Sequence, residues 1–282
     1  MLNSVPLEDE LGDVLEKAMR RAGLTEERLG ERAGVATSSI LDAINYRSEL
    51  SEGEIRRLAA TLGLNEIGLC ALGCGRYPLP PLAALPFSVF PLQMKHGIGV
   101  ANAYIVAESG SSCGVLFDTG QEMDALESIW PGSIKSIEAV FLTHIEGEHT
   151  GGLCQVLERF DLELAYCPPG VAVDCGNPLL EGQQRSFGSI RVTAFNTPGH
   201  SAAHNCYLVD AWSSGMTTST ALLVSGDLFF AGSIGCAHFC QKQLGLHLAR
   251  MLRAVPAETI IAPGHGPMTT AQNELLFNPF VV

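Results

Sequence analysis

Five strand-like apolar runs in the last two-thirds of this 282-residue chain each end in a short polar turn, and most of these turns carry an imidazole or a carboxylate. The turns are Asp118-Thr119-Gly120, the stretch 144–149, Thr197-Pro198-Gly199-His200, Ser225-Gly226-Asp227 and Pro263-Gly264-His265-Gly266. Runs at 103–107, 115–117, 139–143, 190–195, 222–225 and 259–262 have the length and apolar content of strands. Helical patterns alternate with them, which predicts an α/β layer structure. In such layers the loops at one end of the strands share a rim, and ligands bind there. Histidines and carboxylates gathered on one rim are the donors that a polynuclear metal centre requires.

The length suits two domains, and 46% hydrophobic against 17% charged residues supports a sizeable core. No apolar run approaches the roughly 20 residues that span a bilayer. Met1 is followed by neither a basic flank nor an apolar segment of the secretory type, so the expected location is the cytoplasm, with no membrane partner. Nine cysteines, an odd number scattered over apolar segments, fit reduced thiols better than a disulfide framework. A net charge of -13 argues against non-specific coating of nucleic acid.

Before the α/β region the hydrophobic period is helical. Residues 9–22 place Leu11, Val14, Leu15 and Ala18 on one face, with Gly23 as a stop. Thr25 is positioned to cap a second helix closed by Gly34; 36–44 form a third with Ile40, Leu41 and Ile44 inward; Ser51 caps a fourth over 52–62. The expected division is a helical domain over 1–68, a proline-rich linker over 69–86 and the α/β domain over 87–282.

The run T-E-E-R-L-G-E-R-A-G-V-A-T-S-S-I-L-D-A-I-N resembles the helix-turn-helix of the Cro/repressor family, over roughly residues 8–66. That resemblance implies Thr37, Ser38, Ser39 and Asp42 on a recognition helix, Asn45 and Arg47 near a phosphate, DNA as a partner and, by analogy with paired half-sites, a homodimer. Residues 1–78 carry nine basic and thirteen acidic side chains, a weak footprint for DNA. A docking or dimerisation module without DNA contact is the alternative.

The segment F-L-T-H-I-E-G-E-H-T-G-G sets His144, Glu146 and Glu148 at alternate positions with His149 next, so one loop can feed two metals. With T-P-G-H, S-G-D and P-G-H-G-P following in order, residues 87–282 resemble the metallo-β-lactamase superfamily, whose usual loop reads H-x-H-x-D-H. The resemblance implies an αββα sandwich, here preceded by a small all-α helix-turn-helix bundle. It further implies that His144, Glu146 and His200 hold one metal, that Glu148, His149 and His265 hold the other, and that Asp227 bridges. Asp118 takes the position that organises the ligand loop, and His204 that of a hydrogen-bonded packing residue. His96, His238 and His247 match no ligand position and read as surface histidines.

The segments S-G-D-L-F-F-A-G-S-I-G and A-P-G-H-G-P-M-T-T-A-Q-N-E-L-L-F-N-P-F are most similar to the glyoxalase II branch of thioester hydrolases. There S-I-G usually continues with Arg-Thr-Asp; here it continues Cys236-Ala237-His238-Phe239-Cys240, so Cys236 and Cys240 read either as packing residues or as a thiol-bearing mouth. Glu146 in place of the second histidine resembles flavodiiron proteins. Carboxylates are hard ligands, and three of them favour iron, or manganese as a further option, over zinc. One expectation is therefore a metal-dependent hydrolase of thioesters or esters, in which a metal-bound hydroxide is the nucleophile and Glu148 and Asp227 act catalytically. The other is a diiron regulator of transcription that senses oxygen, nitric oxide or redox state, with a gas rather than a small-molecule substrate as its ligand.

Overall fold

The structure, a computed structural model, describes residues 5–97, 99–211 and 220–282. It opens with five helices: α1 (Leu11–Ala22), α2 (Glu26–Ala33), α3 (Thr37–Ile44), α4 (Glu52–Leu62) and α5 (Glu66–Gly73). The caps are those the sequence predicts: Thr25 Oγ1 accepts from Arg28 N, and Ser51 and Glu54 form a reciprocal capping box. The fifth helix was not foreseen. It runs across residue 68, where the sequence placed a domain edge, so the helical unit continues to Gly73.

Two six-stranded sheets follow. The first is ordered β1 (Phe87–His96), β2 (Gly99–Glu108), β3 (Cys113–Phe117), β4 (Ser136–Phe141), β5 (Ala165–Cys167), β6 (Gly176–Pro178). The second contains β7 (Gln184–Phe187), β8 (Ile190–Asn196), β9 (Asn205–Ala211), β10 (Leu222–Gly226), β11 (Ile260–Pro263) and β12 (Thr269–Thr270), in the order β12-β11-β10-β9-β8-β7. Helices α6 (Met123–Ser128), α7 (Gly147–Thr150), α8 (Leu153–Arg159), α9 (Gln241–Ala254) and α10 (Ala271–Phe277) complete the chain. The period-2 alternation of a strand decides which residue faces which layer. Tyr104 and Val106 of β2 point between the sheets, towards Val192, Val209 and Val224. Their neighbours Ala103, Ile105 and Ala107 point outward, onto Leu126, Leu153 and Val156 of α6 and α8. The outer face of the second sheet is covered by α9 through Leu244, Leu248 and Met251. The result is the α/β sandwich with two sheets, preceded by helices.

The helical unit has no core of its own: Val14, Leu15, Ile55 and Leu69 belong to the same buried cluster as Leu223, Leu244 and Phe280. Polar contacts fasten the join. Lys17 Nζ donates to Ile234 O at 2.7 Å and pairs with Asp9, which also accepts from Ser233. Asn65 N donates to Pro279 O at 2.8 Å, and the Arg21 guanidinium stands over the Phe280 ring. The proline-rich stretch is anchored too: Tyr77 Oη donates to Glu274 Oε1 at 2.7 Å, and Asn273 Nδ2 to Pro78 O at 3.1 Å. Expected from the sequence as a spacer, it is in part a strap laid on α10.

At the crossing of α5 and α10, a β-carbon on Gly68 would stand 2.1 Å from Phe277 O. Alanine in place of glycine stabilises an isolated helix by about 1 kcal/mol. At this crossing it must push two backbones apart, so Gly68→Ala should instead lower stability by about 1–3 kcal/mol, read as a lower urea midpoint. A raised midpoint would show that the two helices are not held together.

Candidate metal centre

Asp118 follows β3, the loop 144–149 follows β4, His200 follows β8, Asp227 follows β10 and His265 follows β11, so every chemically active loop leaves the C-terminal end of a strand. Links between the sheets pin this rim. Asn102 N donates to Gly264 O at 2.7 Å, its side chain donates to the carbonyls of Pro263 and Gly266, and Asn205 N donates to Thr143 O at 2.8 Å.

The rings are oriented by the nitrogen that turns away from the centre. His265 Nδ1 lies 2.9 Å from Val100 O, and His200 Nδ1 lies 2.8 Å from Cys236 O. His144 Nδ1 lies 2.9 Å from Thr143 Oγ1, which donates to Asp118 Oδ2, while Thr143 N donates to Asp118 Oδ1 at 2.8 Å. Asp118 thus orders the ligand loop, as its position implied. In each ring the Nε2 atom is left to face inward.

What faces inward is a concentrated donor set. His144, Glu146 and His200 offer atoms within 4.8 Å of one another; so do His144, His149 and Asp227, and so do Glu148, His149 and His265. The Asp227 carboxylate lies 3.6 Å from His149 Nε2, 3.7 Å from His200 Nε2 and 3.5 Å from His265 Nε2, between the two outer groups. His144 Nε2 and Asp227 Oδ1 are buried without a hydrogen-bond partner, and His149 Nε2 stands only 3.3 Å from His265 Nε2. Orphaned buried polar atoms, and imidazoles crowded nitrogen to nitrogen, are costly unless a cation, whether a proton or a metal ion, lies among them. The residues therefore fit a pair of divalent ions, and all seven positions named from the sequence converge.

The electrostatics agree. Burial alone would raise the Asp227 pKa, but the imidazoles of His265, His144, His149 and His200 hold it far below the usual carboxylate range. Burial, reinforced by His149, pushes His144 well down, which keeps its ring neutral and able to coordinate. His149 is also driven down by burial, yet Asp118, Asp227 and Glu148 outweigh that effect and raise it to about 9. In the metal-free protein His149 then holds a proton up to about pH 9, and an incoming metal ion must displace it. Apparent metal affinity should accordingly rise with pH between about 6 and 9, by up to roughly tenfold per unit. Competition with a chelator of known affinity reads this; a flat profile would contradict it.

His204 is the packing residue expected. It is buried and pushed down to about 3 by burial, its Nε2 accepts from Asp227 N at 3.2 Å, and its Nδ1 lies 2.8 Å from Thr197 Oγ1. Two of the histidines read as surface residues are open to solvent as expected and also stand at the rim of the centre. His96 Nε2 is 3.7 Å from Glu148 Oε1, the His238 ring lies 5.2 Å from that of His200, and both line the cleft over the ligands together with Cys236. Cys240 takes the N-cap position of α9. The cleft holds about 290 Å³, and its far wall is the helical unit: Glu8, Asp9, Asp13, Glu16, Lys17 and Arg20 face the metal ligands. Burial and the charges of Asp9 and Asp227 push the Glu8 carboxyl up to about 7. The sequence showed these residues only as the polar face of a helix.

Ser38 of α3, and Asn45 and Arg47 just beyond its end, are exposed, while Thr37, Ser39 and Asp42 on the helix are half-buried. Asn45 Nδ2 donates to Leu41 O at 2.7 Å, and Arg47 Nη1 lies 3.6 Å from Asp42 Oδ1. Among the described residues no helix is long and apolar enough to cross a membrane.

The family model of the metallo-beta-lactamase superfamily matches residues 96–211, a span that holds the ligand loop and His200. This part of the chain is a metallo-β-lactamase superfamily domain. Among curated relatives, a probable metallo-hydrolase, YqgX, of Bacillus subtilis is 27% identical over 212 residues, 67% of this chain and 96% of that protein. A hydroxyacylglutathione hydrolase of Halorhodospira halophila is 33% identical over 134 residues; the match covers 46% of this chain and 47% of that enzyme, so the chain spans about half its length. Among solved structures, TTHA1623 in a di-iron-bound form aligns with a TM-score of 0.52 and 30% identity, over 68% of this chain and 99% of that one.

Proposed function

We propose that the cleft hydrolyses a thioester or ester with the help of two divalent ions, one held by His144, Glu146 and His200, the other by Glu148, His149 and His265, with Asp227 shared. The observation that carries this reading is the unpartnered, buried His144 Nε2 and Asp227 Oδ1 at the centre of three overlapping donor groups. When bound, such ions polarise a carbonyl oxygen and lower the pKa of water.

The chain's own residues do the rest. Glu148 is partly exposed to the cleft, with His96 beside it; while one of its carboxylate oxygens serves as a ligand, the other can accept a proton from the attacking water. As the new C–O bond forms and the C–S or C–O ester bond breaks, that proton is available to the departing thiolate or alkoxide. His238, at the cleft wall, can donate a hydrogen bond to an acyl substituent. The hydrolase names of the Bacillus and Halorhodospira relatives support the class. Iron is the metal we favour: over zinc because Glu146, Glu148 and Asp227 are hard donors, and over manganese because the 30% identical structure is a di-iron form.

The test is a panel of thioesters and oxyesters offered to protein loaded with iron or with zinc. Turnover abolished by chelation is expected, and Glu148→Gln should lower kcat by about 10²–10⁴-fold. Equal rates with and without metal would reject the reading.

A second reading, a diiron sensor of oxygen, nitric oxide or redox state that acts through DNA, is favoured by the carboxylate at 146 and by the helical unit seated against the centre. Recovery of an enriched sequence from genomic fragments by the iron-loaded protein would support it, and no enrichment would remove it.

A further inference from the structure

The polar stripe of α1 faces the cleft as well as solvent. Asp13, Glu16, Lys17 and Arg20 recur at helical spacing on the side of α1 opposite Val14, Leu15 and Ala18, which lie in the core. With Glu8 and Asp9 they close the cleft over the metal ligands. The wall is rigidly placed, since Asp9 and Lys17 are tied to each other and to Ser233 and Ile234. With that pair neutralised internally, the wall presents Glu16, the Asp13 carboxylate that also caps α1 through Glu10 N, and the part-ionised Glu8 against the cation Arg20. The opposite side contributes three more carboxylates, Glu146, Glu148 and Asp227, whose charge two divalent ions would compensate.

We propose that α1 is the substrate-selecting wall of this cleft and that its carboxylates favour substrates carrying a cationic group near the acyl bond over anionic ones. The proposal rests on the metal-centre reading and deepens it by naming a substrate class. Glu16 is the residue through which it is best examined: it is exposed, it makes none of the hydrogen bonds or ion pairs that hold the helix, and it lines the cleft.

The experiment uses the full chain loaded with cobalt(II), whose visible spectrum changes when a thiol binds. Cysteamine, 2-mercaptoethanol and thioglycolate are similar in size and differ in charge and in thiol pKa, so the change in their Kd ratios between wild type and α1 variants at one pH, rather than the ratio itself, reads the field of the wall without turnover. The cysteamine-to-thioglycolate preference of the wild type should shrink by about threefold or more from low to high salt, as the field of the wall is screened. Glu16→Lys should reduce that ratio by about threefold to tenfold, and Arg20→Glu should increase it. A ratio unmoved by salt, or unmoved by both substitutions at equal cobalt content, would overturn the wall. Failure to bind cobalt at all would reject the metal centre and the wall together, whereas thiol binding with this charge preference but no ester turnover would reject only the hydrolase.

Discussion

Asp227→Asn should reduce metal content from two ions per chain to one or fewer and lower hydrolytic activity by more than 10²-fold. Losing a hydrogen-bond partner of a metal ligand already costs about 10–100-fold in affinity or activity, and here a ligand charge itself is removed. Asp227 lies within 3.7 Å of three imidazole Nε2 atoms and, among the described residues, is the carboxylate between the two outer donor groups. Asparagine keeps the shape and removes the charge, so the donors stay in place while their mutual repulsion goes uncompensated. Full retention of two ions would mean that Asp227 is not shared. Metal content by mass spectrometry and initial rates, measured on the same sample, decide the matter.

The second large effect concerns the join. Lys17→Met should destabilise the protein by about 3–5 kcal/mol, because it leaves the buried Asp9 carboxylate without its cation. The loss should appear as a lower urea midpoint and as faster hydrogen exchange in α1. Restoring neutrality with Asp9→Asn in the same chain should recover much of it, since the cost lies in the unpaired charge and Ser233 can still hydrogen-bond residue 9. If Lys17→Met is neutral, the helical unit is not seated on the cleft through this pair, and the wall argument loses its anchor.

Much of the centre is legible in the sequence because glycine-containing turns at strand ends force ligands to one rim, and because His144, Glu146, Glu148 and His149 lie on a single loop. The caps at Thr25 and Ser51 are legible for a similar reason: they depend on atoms three residues away. Helix α5 is hidden for the opposite reason. Its residues E-I-G-L-C-A-L-G are apolar nearly all round, with two glycines, since Leu69, Cys70 and Leu72 are buried between the bundle and the rest of the core. A helix of that kind has no amphipathic period to read. His96 and the stripe on α1 are missed because periodicity separates a buried face from a polar one and says nothing about what the polar face meets. Water and an active-site cleft impose the same composition on it.

That the helices of an N-terminal unit share one core with the metal-bearing domain changes how its DNA-facing resemblance should be tested. The unit is bonded to the cleft it walls, so substitutions in α1 belong in assays of metal-site chemistry before assays of DNA. Exposed Ser38 of α3, with Asn45 and Arg47 just beyond its end, are the positions for the latter.

The most direct measurement is the metal content of protein purified without oxygen from cells supplied with both iron and zinc. The expected result is two ions per chain, chiefly iron, lost together when Asp227 is replaced; protein that folds normally yet carries only trace metal would contradict the binuclear centre on which the rest depends.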